Sequence, residues 1–166
     1  MAEERTDEVD LIVDAWRRER PDLDVDPLLV LSRITRLARR LDQTRSSAFA
    51  THHLEAWEFD VLCALRRVGT PYELSPGALG QQTLVTSGTM TNRVDRLAAR
   101  GFVERRPAPN DRRGVLVRLT DAGRQVVDAA FEDLLAQEQR LLASLPVAGR
   151  QALAANLRQL LTTLEG

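Results

Sequence analysis

Apolar residues recur at spacings of three and four along most of this chain, the period of an amphipathic helix, and the pattern changes in one place only. Thr6 or Asp7 can cap a first helix running to about Arg20, with Leu11, Ala15 and Trp16 along one face; Pro21 to Asp24 ends it. Asp26-Pro27, a capping residue before a proline at the first helical position, opens a second helix bearing Val30, Ile34, Leu37 and Leu41. A third spans about 55–68 and turns Phe59, Leu62, Leu65 and Val68 inward before Gly69-Thr70-Pro71 stops it. Ser75-Pro76 repeats the cap-plus-proline signal for a short helix to about Gln82. Thr86 then caps a helix over 87–100, with Gly101 as its C-terminal stop. Two short helices across a tight turn make a helix-turn-helix.

The period changes after Gly101. Residues 102–106 and 115–119 read as two strands, joined by a Pro-, Asn-, Asp-, Arg- and Gly-rich segment over 107–114, which predicts a β-hairpin with a basic tip. Thr120-Asp121 caps a long helix to about Leu142, with Val127, Phe131, Leu134, Leu135, Leu141 and Leu142 apolar. After a break at Ser144-Leu145-Pro146, a last helix carries Leu153, Leu157, Leu160, Leu161 and Leu164. The pattern predicts a mainly α fold with a small β-hairpin, in a single domain over 1–166 without repeats or a low-complexity linker.

Composition narrows the class. The 166 residues are 43% hydrophobic and 28% charged with a net charge of −1, the balance of a globular protein. No uncharged apolar run approaches 18 residues and the N-terminus is acidic, so neither a membrane span nor export is expected. The one cysteine, Cys63, excludes an internal disulfide and fits a reducing cytoplasm. No phosphate loop, metal-spaced His/Cys cluster or serine-elbow motif is present, so no enzyme, cofactor or bound metal is expected. Cys63, four residues from Phe59 among apolar neighbours, reads as a buried, inert thiol. His52 and His53, with Glu55, point in different directions on a helix and are a poor metal pair. A redox- or metal-responsive role rests on these residues as an alternative. Arg33, Arg36 and Arg40 share one helical face, where they can be solvated, paired, or turned to phosphate or an anionic ligand.

Charge distribution changes the picture more. All 23 basic residues are arginine, and 86–119 holds eight of them against three carboxylates, a net of +5. Such a segment suits a phosphate-binding surface even in a slightly acidic chain. On the helix over 87–100, Met90, Val94 and Leu97 form the stripe to be buried. Ser87, Thr89, Thr91, Asn92 and Arg96 lie off it and are candidates to contact base edges and phosphates. At the hairpin tip, Asp111 can orient one of the guanidiniums of Arg112 and Arg113, and a narrow minor groove attracts inserted arginine. A solvated helix face and a loop ion pair would look similar singly. Their union in one stretch points to duplex DNA. A helical interaction module that binds no DNA is the rival reading, and it leaves the basic hairpin without a purpose.

These residues carry a resemblance. Ser87-Gly88-Thr89-Met90-Thr91-Asn92-Arg93, Leu97 to Gly101, Phe102-Val103-Glu104-Arg105, and above all Asp111-Arg112-Arg113-Gly114 with Leu119-Thr120, closely resemble the winged helix of the MarR (multiple-antibiotic-resistance regulator) family. The resemblance covers roughly 8–164. It implies a winged helix-turn-helix over 55–119 and dimerisation helices over 6–52 and 120–166. It also implies a homodimer on a pseudo-palindromic DNA operator and repression relieved by a ligand. A narrower likeness, in Trp16 to Asp24 and Glu58-Phe59-Asp60-Val61-Leu62, is to the urate-responsive branch with an extra N-terminal helix. It implies a ligand pocket of Trp16, Asp60, Arg93 and Arg105 for a small anion, urate-like or a polycarboxylate. A planar anion can stack on an indole and be neutralised by guanidiniums. The same residues could instead serve interface packing (Trp16), an ion pair (Asp60, Arg93) and a phosphate contact (Arg105).

Overall fold

The computed structural model describes residues 6–109 and 111–165, without the side chains of 111–113 and 165. It contains helices α1 (Glu8–Glu19), α2 (Pro27–Thr51), α3 (Ala56–Arg67), α4 (Pro76–Thr83), α5 (Ser87–Ala99), α6 (Asp121–Leu142) and α7 (Val147–Glu165). The strands are β1 (Glu73–Leu74), β2 (Val103–Ala108) and β3 (Asp111–Leu119). The mainly helical fold with a small β wing is as expected. The chain forms two compact units, 1–47 and 48–166, whose boundary falls within α2.

In the first unit Asp7, not Thr6, caps α1. Its carboxylate accepts from Val9 N at 2.7 Å and Asp10 N at 3.2 Å, while its own N–H donates to Asp10 Oδ2 at 2.8 Å. The buried stripe of α1 is Val9 and Val13, a spacing of four, whereas Leu11 and Trp16 lie on the exposed side. The apolar face read from the sequence was therefore the outer one. Two arginines of the row on α2 are paired. Arg33 donates to both Asp7 oxygens at 2.8 and 3.0 Å and to Asp10 Oδ1 at 2.6 Å, and Arg36 reaches Glu8 at 3.3 Å. On α2 itself, Val30 and Leu37 are exposed and Ile34 and Leu41 are half-buried.

The second unit has a continuous core. Phe59, Leu62 and Leu65 of α3 pack with Leu79, with Met90, Val94 and Leu97 of α5, with Val117 of β3, and with Val127, Ala130 and Leu134 of α6. Phe49 stacks on Phe59 with centroids 4.0 Å apart. Val68, expected inside, is 42% exposed because α3 ends one residue before it. Cys63 is half-buried against this core instead of fully buried. The sheet order is β1-β3-β2, all antiparallel. The third strand was not expected, being two residues long with no alternation to reveal it. It pairs Glu73 with Arg118 and Leu74 with Val117. The hairpin is also longer than expected, since pairing continues through Arg106↔Leu116 and Pro107↔Val115 to Ala108↔Asp111, with a register shift after Pro107. Cross-strand pairing recruits residues whose own propensity reads as loop.

Two devices join wing to helix. Thr120 caps α6, accepting from Gly123 N at 3.0 Å while its hydroxyl donates to Gly101 O at 2.7 Å. A Cβ on Gly123 would collide with the Phe102 carbonyl oxygen, so only glycine lets α6 begin this close to β2.

Candidate nucleic-acid interface

The helix-turn-helix is closed by backbone chemistry. Ser75 caps α4 by accepting from Ala78 N at 3.2 Å. At the other end Val85 N–H donates to Gly80 O at 3.0 Å around Leu84, which sits in the left-handed region. A Cβ on Gly80 would approach Val85 O to 3.1 Å, so the turn is tight. Thr86 caps α5, accepting from Thr89 N at 3.4 Å, and the two threonine hydroxyls lie 3.0 Å apart.

On α5, Met90, Val94 and Leu97 are completely buried, which turns Ser87, Thr89, Thr91, Asn92 and Arg96 to solvent. The Thr91 hydroxyl donates to Ser87 O at 3.0 Å, a local bond compatible with an exposed helix face. Arg93 and Arg96 stand over the Trp57 ring at 5.4 and 4.7 Å from its centroid. Glu55 completes the group. Its Oε1 accepts from Arg96 Nη2 and its Oε2 from the Trp57 indole N–H, both at 2.6 Å. The Trp57 N–H first and Arg96 second hold the Glu55 carboxyl below its ordinary pKa. These side chains, with Gly88, Thr89 and Asn92, line an open cleft of about 580 Å³ along the helix.

A half-buried ion pair ties α5 to α3. Glu58, 1% exposed, accepts from Arg100 Nη1 at 2.5 Å and from the Glu55 N–H at 2.9 Å. Arg100 also donates to His53 O at 2.7 Å and lies 4.6 Å from the centroid of Phe102. A lone buried carboxylate would be costly, so the pair clamps the start of α3 to the end of α5. Sequence reasoning missed it. The available signal was a glutamate one position before Phe59, on a helix whose inward face had already been assigned.

The profile of the MarR family matches residues 53–114. Over 135 residues the chain is 39% identical to the HTH-type transcriptional regulator PecS of Dickeya dadantii, covering 81% of each chain. It is 31% identical over 147 residues to the transcriptional repressor NicR of Pseudomonas putida, covering 86% of this chain and 91% of that one. The chain belongs to the MarR family. Among solved structures, a mutant MarR from Escherichia coli complexed with operator DNA gives a TM-score of 0.67 at 29% identity, over 84% of this chain and 99% of that one. BpsR of Bordetella bronchiseptica, whose DNA binding is regulated by 6-hydroxynicotinic acid, gives 0.60 at 31% identity, over 77% and 98%.

As a MarR-family chain this is a DNA-binding transcriptional regulator and not an enzyme. Of the expected DNA contacts, α5 brings Ser87, Thr89, Thr91, Asn92 and Arg96 to one exposed surface. The side chains of Arg112 and Arg113 lie outside the described residues, although the β3 backbone that carries them is in register with β2. Of the expected ligand residues, Arg93 lies on α5 and lines the cleft, and Arg105 Nη2 donates to Asp95 Oδ1 of α5 at 2.6 Å. Asp60 is exposed on α3. Trp16 is 48% exposed on α1, in the other unit. His52 Nε2 is 2.7 Å from Asp133 Oδ2, and no metal-holding group of His, Cys, Asp and Glu occurs among the described residues. No helix among them is long and apolar enough to cross a membrane.

Proposed function

We propose that this MarR-family regulator acts as a homodimeric repressor on a pseudo-palindromic operator, with α5 in the major groove and the wing tip at the flanking minor groove. The observation that carries this reading is the exposed polar row Ser87, Thr89, Thr91, Asn92 and Arg96 above a fully buried stripe on a capped helix. Hydroxyls, an amide and a guanidinium can satisfy base edges and phosphates, with no bulky side chain to hold the helix away. Arg112 and Arg113 supply the minor-groove contact. Two such helices related by a two-fold axis read half-sites about one turn, roughly 10 bp, apart.

The ligand in this reading is a small anion, urate-like or a polycarboxylate, taken up by Trp16, Asp60, Arg93 and Arg105. Support comes from the arginines' attachments. Arg93 belongs to α5 and Arg105 is tied to Asp95 on it, so an anion that recruits either guanidinium acts on the reading helix itself. Regulation of BpsR by 6-hydroxynicotinic acid, also a small organic acid, favours this ligand class. Ligand releases DNA only through differential affinity for the two conformations, and couplings of about 1–3 kcal/mol are usual.

Footprinting and gel shifts on the promoter beside the chain's own gene test the reading. Asn92→Ala should relax discrimination against mutated operator by about 1–3 kcal/mol. Arg112→Ala should lower the salt slope by about 1. Urate and citrate added to the complex should weaken binding, and Arg105→Ala should blunt that response more than it impairs DNA binding. Protection of a single half-site, or ligand attenuation that survives Trp16→Phe and Arg105→Ala unchanged, would count against the dimer and the pocket respectively.

A further inference from the structure

At the turn of the helix-turn-helix one residue breaks two local rules at once. Leu84 terminates α4 with φ 55° and ψ 41°, the left-handed conformation that glycine or asparagine usually supplies at this position. Its side chain is 93% exposed, the most of any large hydrophobic residue among those described. Among the described residues the two other non-glycine ones with positive φ, His53 and Tyr72, have structural employment: His53 O receives Arg100, and Tyr72 O receives the Leu119 N–H at 3.1 Å. At Leu84 the backbone requirement is only a tight turn, which glycine would meet without strain and without an apolar side chain in water. Departures from local preference of this kind concentrate at functional sites.

Leu84 stands three residues before Ser87, where α5 begins. It borders a shallow, mostly apolar depression of about 370 Å³ that also includes Pro76, Gly80, Val85 and Ser87. The depression is thus continuous with the surface by which α5 meets DNA, on which this inference rests. The apolar group that a duplex displays in the major groove is the thymine C5-methyl.

We propose that Leu84 is a DNA-contacting, specificity-determining residue: its side chain, held out by the left-handed turn, packs on a thymine methyl of the operator beside the bases met by α5. The strain and the exposure in the free protein are the cost of presenting an apolar contact where a turn would otherwise offer none. The contact adds base selectivity without adding charge.

The test uses the full-length protein and pairs stability with binding. Leu84→Gly and Leu84→Asn both tolerate the left-handed backbone, so each should keep or raise Tm, by about 2 °C for relieved strain. Each should nevertheless weaken operator binding about tenfold, as expected when part of a leucine's apolar surface is no longer withdrawn from water. The salt slope should stay unchanged because no phosphate contact is lost. Replacing operator thymines singly by uracil, which deletes only the methyl, should weaken the wild type at one position per half-site and leave both variants indifferent there. Equal operator affinity in wild type and variants, or a wild type insensitive to every uracil, would overturn the proposal. Asn92→Ala runs alongside: loss of discrimination there with no effect at Leu84 sinks this inference alone, while no effect at either sinks the α5 reading.

Discussion

Helices α5 and α7 carry the same kind of apolar repeat and meet opposite fates. On α5, Met90, Val94 and Leu97 are fully buried. On α7 no described residue is buried: Leu153 and Leu160 are about two-fifths exposed, Leu161 59% and Leu164 85%. Periodicity therefore says which face of a helix wants burial, and only the neighbouring elements decide whether one chain can provide it. The α3–α5–wing region closes its own core. The leucine row of α7 is the larger apolar surface that a second copy would cover, as the homodimer proposed above requires.

The contrast can be broken first at the Glu58–Arg100 pair. Arg100→Ala leaves the buried Glu58 carboxylate without its counter-charge, with the Glu55 N–H as its remaining partner, and should cost about 3 kcal/mol in urea unfolding, with Glu58→Gln in the same chain recovering part of the loss. A loss below about 1 kcal/mol, the scale of exposed ion pairs in general, would show that α5 is not clamped this way. Next, Leu97→Ala should cost about 2–5 kcal/mol at any protein concentration, as a cavity in a closed core does. Leu161→Asp should act differently: light scattering at micromolar concentration should report a monomer, and its Tm should be independent of protein concentration where the wild type's should rise with it. A Leu161→Asp protein that stays dimeric moves the interface elsewhere.

The smallest effect lies in α1. Arg33, hydrogen-bonded to its carboxylate, holds Asp7 down to a pKa of about 2, against an ordinary 3.8. A depressed folded-state pKa contributes stability that is present above the ordinary value and is lost as pH falls through the folded one. The Asp7–Arg33 link should therefore weaken between about pH 4 and 2, which Trp16 fluorescence can follow with Trp57→Phe removing the second indole. Asp7→Asn should abolish that phase while leaving the rest of the acid transition in place.

Much of this protein was legible in its sequence because the signals are local. Ser75, Thr86 and Thr120 each make the capping bond that their side chains advertise, and Met90, Val94 and Leu97 turn inward as their spacing requires. The polar row of α5 follows by subtraction. Other features depend on contacts distant in sequence. β1 exists because Leu74 meets Val117, and the buried Glu58 is paired with Arg100, 42 residues away. The inner face of α1 proved to be Val9 and Val13, because Arg33 of α2 captures Asp7 and Asp10 and fixes the helix's rotation. Leu84 reads in the sequence as an ordinary apolar residue before a cap, and only the folded turn shows it left-handed and exposed. Caps and periodicity are properties of a few adjacent residues, so the sequence by itself determined the helices, the hairpin and the exposed polar row of α5. Pairing, rotation and backbone handedness are settled by whichever partner the fold brings near, and those only the tertiary structure decided.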